Sequence, residues 1–279
     1  MTHPHPTALQ PSAGPAAENA SRSEDPGHPP GRLFLVPVPL DFGCDEQVPI
    51  AQVLPSATLE AAAGLQHWIC ENAKSLRAVL KRVDAVQPLA APMQQQVITE
   101  LPREVHKKGD AGTGFDARPL LQAALAGHDI GLASEAGMPA VADPGASVAR
   151  AAHELGLTVI PLVGPSSLLL ALAASGLGGQ NFAFVGYLPQ EAVARTQRIR
   201  ALEALALREG QAQLFIETPY RNRALFQALL QALQPETRLS VSSGLTLGTG
   251  RTRSMSVRAW KQQAAEGVGD APAVFAVGR

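Results

Sequence analysis

A chain of 279 residues, 46% hydrophobic and 17% charged, can bury one large core or two smaller ones of roughly 100–150 residues each, which excludes a peptide hormone or a disordered tail. The longest apolar run, Leu168 to Ala174, falls well short of the roughly 18 residues that cross a bilayer, so no membrane span is expected. The net charge of −1 conceals a split, with 11 Lys/Arg against 17 Asp/Glu in residues 1–164 and 12 against 7 in residues 165–279.

Residues 1–31, rich in Pro, Ala, Ser and His, lack the basic and apolar segments of a secretory signal and read as a disordered tail. From residue 32, short apolar runs alternate with longer helical periodicities. Leu33–Val38 reads as a buried strand, Thr58–Leu65 as a helix and His67–Cys70 as a strand. Ala73–Val83 reads as a helix with Leu76, Val79, Leu80 and Val83 on one face. Strand Gln96–Leu101, helix Ala117–Ala126, strand Ile130–Ala133, helix Ser147–Leu155 and strand Thr158–Leu162 complete residues 32–162, the expected N-terminal domain.

Residues 163–279, the expected C-terminal domain, continue with helix Ser166–Ala174, strand Phe182–Val185, helix Ala192–Arg208, strand Gln213–Ile216 and helix Arg221–Leu233. Strands Leu239–Ser242 and Arg253–Val257, helix Ala259–Glu266 and strand Ala273–Val277 end the chain. Strand alternating with helix predicts two α/β domains, the first with a mainly parallel sheet and the second with a mixed one. Ligands are expected at the carboxyl ends of the strands.

Most chemistry-bearing motifs fail. No GxxxxGK[ST] exists, because position 245, five residues before Gly250, is Leu245. Gly112-Thr-Gly-Phe-Asp-Ala117 fits GxGxxA but follows Lys107-Lys-Gly-Asp110 instead of a strand, and reads as a surface loop. GxSxG and HExxH are absent. Two cysteines, Cys44 and Cys70, lack zinc spacing and are too few for a disulfide scaffold, so no metal is expected and the redox signal is cytoplasmic.

The informative stretch is Gly131-Leu-Ala-Ser-Glu-Ala-Gly-Met-Pro-Ala-Val-Ala-Asp-Pro-Gly145, followed by Pro161-Leu-Val-Gly-Pro-Ser-Ser167. A strand ends at Ala133 and opens into a turn shaped by Gly137 and Pro139, after which Asp143 is expected to cap the next helix, with Pro144 in its first turn. Two such turns bare backbone groups at the edge where open α/β sheets hold ligand.

These residues resemble a known series. Ser134-Glu-Ala-Gly-Met-Pro139, Asp143-Pro-Gly145, Val163-Gly-Pro-Ser-Ser167 and Ser175-Gly-Leu177 are similar to the S-D-A-G-x-P, D-P-G, P-G-P-S and S-G-L motifs of the tetrapyrrole-methylase superfamily, the class III S-adenosylmethionine (SAM) dependent methyltransferases. Phe184-Val-Gly-Tyr-Leu-Pro189 and Phe215-Ile-Glu-Thr-Pro-Tyr-Arg221 resemble F-x-G-F-L-P and Y-E-x-P-H-R of its bacterial ribosomal RNA 2′-O-methyltransferase branch. Three motifs depart from that branch. Val36-Pro-Val-Pro-Leu-Asp-Phe42 stands for T-P-I-G-N, Glu71-Asn-Ala-Lys74 for E-D-T-R, and Ser243-Gly-Leu-Thr-Leu247 for R-E-L-T-K, the last losing all three charged groups.

The resemblance implies a cofactor cleft between the two domains, with SAM folded in it and held largely by backbone groups. The implied contacts are Pro39, the turn Glu135, Ala136, Gly137, Met138 and Pro139, and Pro165, Ser166 and Ser167. It also implies ribosomal RNA as substrate and a homodimer. The candidates for a base on the accepting hydroxyl are Glu217 and Glu71. Tyr220 and Arg221 can position substrate, and Arg251 and Arg253 belong to an Arg-rich second half suited to phosphate. Each Ser is also a candidate helix cap, and each Arg a solvated surface charge. Methylation of a small tetrapyrrole-type molecule, or SAM binding with catalysis lost, are the alternatives.

Overall fold

A computed structural model of the chain describes residues 29–108, 114–263, 268–269 and 271–279. The segment read as a tail lies outside these residues up to position 28, as does the start of the GxGxxA match. Gly31, its last residue, is buried and donates its N–H to the Ala124 carbonyl at 2.8 Å.

The first half is built on β1 (Leu33–Leu35), β2 (His67–Cys70), β3 (Val97–Glu100), β4 (Ile130–Ala133) and β5 (Val159–Pro161), all parallel, in the order β3-β2-β4-β1-β5. Parallel strands need crossovers, which the helices α1 (Ser56–Gly64), α2 (Ala73–Asp84), α3 (Arg103–Lys108), α4 (Gln122–Leu125) and α5 (Ala146–Glu154) supply. One face of the sheet buries Leu33, Ile69, Ile130 and Leu132 against Leu121, Val148 and Ala152. The other buries Phe34, Trp68 and Ala133 against Leu76 and Leu80. Gly131 of β4 leaves room for the Trp68 ring of β2, since a Cβ there would lie 2.5 Å from it.

The second half begins with α6 (Ser167–Ser175) and α7 (Ala192–Glu209), continues to α8 (Asn222–Ala232) and α9 (Val257–Gln262), and surrounds a second sheet. Its strands are β6 (Phe182–Tyr187), β7 (Ala212–Glu217), β8 (Arg238–Ser243), β9 (Arg251–Ser256) and β10 (Ala273–Gly278), in the order β6-β7-β10-β8-β9. Only β6 and β7 pair in parallel; β10 runs antiparallel to both neighbours, β7 and β8. Its run Ala-Val-Phe-Ala-Val-Gly is buried throughout, as a central strand covered on both faces requires. Phe275 stacks on Phe215 on one face, while Val274 and Ala276 pack on the other with Leu168 and Leu172 of α6.

The fold is thus the expected pair of α/β domains, with local corrections: the strand expected over Leu33–Val38 ends at Leu35, and Val257, expected to end a strand, begins α9. The helix expected over Ala117–Ala126 is a 3-10 turn, Arg118–Leu121, followed by the short α4, with Pro119 at the turn's start. Asp143 does not cap α5: that helix starts at Ala146 with Gly145 as its cap residue, at a φ of 134° that favours glycine. Among the described residues no helix is long and apolar enough to cross a membrane.

Candidate active site

The carboxyl ends of both sheets converge on one cavity of about 280 Å³. From the first sheet, the chain leaving β1 contributes Leu40, Phe42 and Cys44, and the chain leaving β4 contributes Ala136, Gly137, Met138, Val141, Ala142 and Asp143. Ser166 and Ser167 add the start of α6. From the second sheet come Tyr187 at the end of β6, Glu217 at the end of β7, Ala273 at the start of β10 and Gly244 just past β8. Strand register explains this meeting, because Ala273 pairs with Glu217 on one side and Ser243 on the other.

The two loops of the first domain brace each other. Val38 and Gly137 exchange backbone hydrogen bonds, 2.9 Å from the Val38 N–H and 3.1 Å from the Gly137 N–H. Gly137 has φ 72°, so the turn favours glycine for its conformation; a Cβ on it would lie 3.0 Å from Leu40 Cδ2, a tight contact that the Leu40 side chain would have to yield to. Ala140 and Ala142 also hold left-handed conformations, φ 63° and 69°. Each costs on the order of 1–3 kcal/mol, a cost that persists where the surrounding structure over-determines the backbone and that concentrates at ligand clamps. The loop after β1 is fixed by the buried Asp41 carboxylate, which takes both Arg82 guanidinium nitrogens at 2.9 and 2.8 Å and the Val48 N–H at 3.1 Å. Glu46 then reaches the second domain, accepting the Gly248 N–H at 2.8 Å and the Thr249 hydroxyl at 3.3 Å.

The cavity's carboxylates differ in their surroundings. Glu217, buried, accepts on Oε1 from the Thr218 N–H at 2.8 Å and from Arg221 Nε at 2.9 Å, and Arg221 closes an ion pair at 2.7 Å. Asp143 lies partly buried at the cavity wall. Burial, helped by the charges of Glu71 and Glu135, pushes its carboxyl up to about 7. Burial, then Asp143 and Glu217, raise the Tyr187 phenol, with Arg221 opposing. Burial and the neighbouring Asp41, Asp45 and Glu46 raise the Cys44 thiol.

Of the residues singled out from sequence, Ala136, Gly137, Met138, Ser166, Ser167 and Glu217 line the cavity. Pro39, Glu135, Pro139 and Pro165 stand beside lining residues but not among them. Ser166 holds the cap position of α6 without a side-chain cap bond. Glu71 stays off the wall, accepting the Glu135 N–H at 3.3 Å, while Glu135 Oε1 accepts the Ser75 hydroxyl at 3.2 Å. Arg221 is committed to Glu217 and stacks over the exposed Tyr220 ring at 5.3 Å. Arg251 and Arg253 line a separate small groove with Ser243, Val241 and Trp260. There the Arg253 guanidinium lies 4.7 Å over the Trp260 ring. Sequence reasoning missed Leu40, Phe42, Cys44 and Tyr187 as wall residues. Asp143 lay inside a recognised motif but was read as a cap.

A cavity between the carboxyl ends of a parallel and a mixed sheet defines a two-domain α/β ligand-binding architecture. The same fold is seen in the crystal structure of the methyltransferase CobJ, with TM-score 0.52 and 15% identity, covering 89% of this chain and 94% of that one. No family model matches the chain. Ribosomal RNA small subunit methyltransferase I of Mesorhizobium japonicum is 31% identical over 228 residues, 81% of this chain and 68% of that protein. The protein of that name from Pseudomonas aeruginosa is 32% identical over 191 residues, 68% of this chain but 58% of its own length. The chain belongs to the ribosomal RNA small subunit methyltransferase I family, within the tetrapyrrole-methylase superfamily.

Proposed function

We propose that the chain transfers the methyl group of SAM to ribosomal RNA, at a ribose 2′-hydroxyl. The observation that carries this reading is the shared cavity, walled by the 136–143 loop and the start of α6 from one side and by strand ends of the second sheet from the other. The fit to SAM rests on the wall's chemistry. Gly137 leaves backbone bare of a side chain at the wall, Ser166 and Ser167 offer hydroxyls suited to a carboxylate or an adenine edge, and Leu40, Met138 and Leu245 supply apolar surface. When bound, SAM supplies an electrophilic methyl group on a sulfonium. The protein's part is to align the acceptor with it and exclude water.

Pro39, Glu135, Pro139 and Pro165, bordering those residues, support the turns that would hold the cofactor. Glu217, ion-paired through Oε1, fixes Arg221 and through it Tyr220 at the rim, where an RNA strand would enter. Arg251 and Arg253 extend a basic second half toward phosphates. A division between the domains at residues 162 and 163, a cytoplasmic site and a homodimer complete the proposal. The exposed Val163, Leu169 and Leu170 are a candidate apolar face for the second copy. Titration calorimetry tests the cofactor assignment: SAM and S-adenosylhomocysteine should bind one per chain, and the Gly137→Ala variant should bind at least 10-fold more weakly. Absence of binding by the wild-type chain at saturating ligand would remove the assignment.

A further inference from the structure

The acceptor hydroxyl needs somewhere to leave its proton, and the cavity wall offers few groups. Glu217 is tied to Arg221 and Thr218 through Oε1, which commits that oxygen to holding them. Glu71 and Glu135 are not on the wall. Burial, then Asp143 and Glu217, push the Tyr187 phenol up from its ordinary value, which does not favour it as a base. Asp143 is on the wall, and the backbone spends unusual conformations to keep it there. Ala142 before it is left-handed and Gly145 after it has φ 134°, so the chain delays α5 to Ala146 and leaves the aspartate beside the cavity instead of on the helix end.

We propose that Asp143 is the catalytic base of the methyl transfer, accepting the proton of the substrate hydroxyl as its oxygen is methylated. The inference rests on the functional reading above. The acceptor oxygen forms the new O–C bond with its lone pair while the C–S bond breaks. The electron pair of that bond stays on sulfur, giving the neutral thioether product, and the O–H proton passes to the Asp143 carboxylate. A carboxyl held near 7 is matched to this task, because a base is most effective when its pKa lies near the working pH. The charges acting on it are those of Glu71 and Glu135 on the first domain; it acts in turn on Tyr187, which also feels Glu217 and Arg221, and Cys44 lines the same cavity.

The test is single-turnover methylation of small-subunit ribosomal RNA from a strain lacking the protein, at saturating SAM across pH 5.5–9, using the full chain. The wild type should show a rate rising with pH and levelling above about 7. Asp143→Asn should lose that limb and roughly 100-fold in rate, with Asp143→Glu restoring part of both, while SAM affinity by calorimetry stays within about threefold. In the ligand-free protein, carbon-13 NMR should show one carboxyl titrating near 7, absent from Asp143→Asn. An Asn variant that keeps the rate and the limb would overturn the proposal. So would one that loses SAM affinity yet transfers at the wild-type rate once saturated, since Asp143 would then merely hold cofactor. If the wild type binds SAM and methylates while the variant is unimpaired, only this inference fails. If the wild type neither binds nor transfers, the functional reading fails and this inference with it.

Discussion

Asp143 and Glu217 line one cavity with the same functional group and opposite neighbours: carboxylates around the first, a guanidinium on the second. The difference has a consequence for stability that needs no substrate. A carboxyl whose pKa in the folded protein lies above its unfolded value keeps its proton in the native state over a range where the unfolded chain has lost it. For Asp143 that range runs from the ordinary value of 3.8 to about 7. There the native state binds more protons than the unfolded one, so stability falls as pH rises through the window. Asp143→Asn removes the penalty. Its thermal midpoint should match the wild type at pH 4 and exceed it at pH 8, by the equivalent of roughly 1–3 kcal/mol. Equal midpoints at pH 8 would show that the charged form is not disfavoured. The motif Asp-Pro-Gly was visible in the sequence, but its reading as a helix start was the common outcome for that tripeptide. Only the left-handed Ala142 and the late start of α5 show otherwise.

At the scale of elements, strands bounded by polar or turn residues could be read from local pattern. His67–Cys70 and Ile130–Ala133 match their expected limits because each is a short apolar run with a break on either side. The position of β10 could not be read this way, since nothing local in Ala273–Gly278 says that it inserts antiparallel between β7 and β8. The same limit hid part of the cavity. Leu40, Phe42 and Cys44 reach it only because the loop after β1 is folded back by Asp41 and Arg82, residues 41 positions apart. Removing one partner of such a pair strands a largely buried charge, so Asp41→Ala should cost roughly 2–4 kcal/mol in urea unfolding and release the loop. Weaker SAM binding should accompany the loss. Unchanged affinity in a folded Asp41→Ala protein would show that the loop after β1 takes no part in holding the cofactor.

For the whole molecule, the cavity depends on both sheets at once. Each domain supplies one wall, and Glu46 links the loop after β1 to the turn after β8. That turn is where the sequence departs most from the ribosomal branch it resembles. Gly244 lines the cavity where the branch has a Glu, Leu245 beside it keeps the branch's Leu, and Arg251 and Arg253 stand in a separate groove. The half of the site proposed for the cofactor therefore follows the family's motifs more closely than the half proposed for the substrate. Methyl transfer is what joins the two halves. Incubating the purified chain with methyl-labelled SAM and small-subunit ribosomal RNA from a strain lacking the protein, then digesting the RNA to nucleosides for mass spectrometry, tests that union directly. The account predicts one labelled nucleoside carrying its methyl on the ribose; bound SAM with no label in RNA, or label on a base, would contradict it.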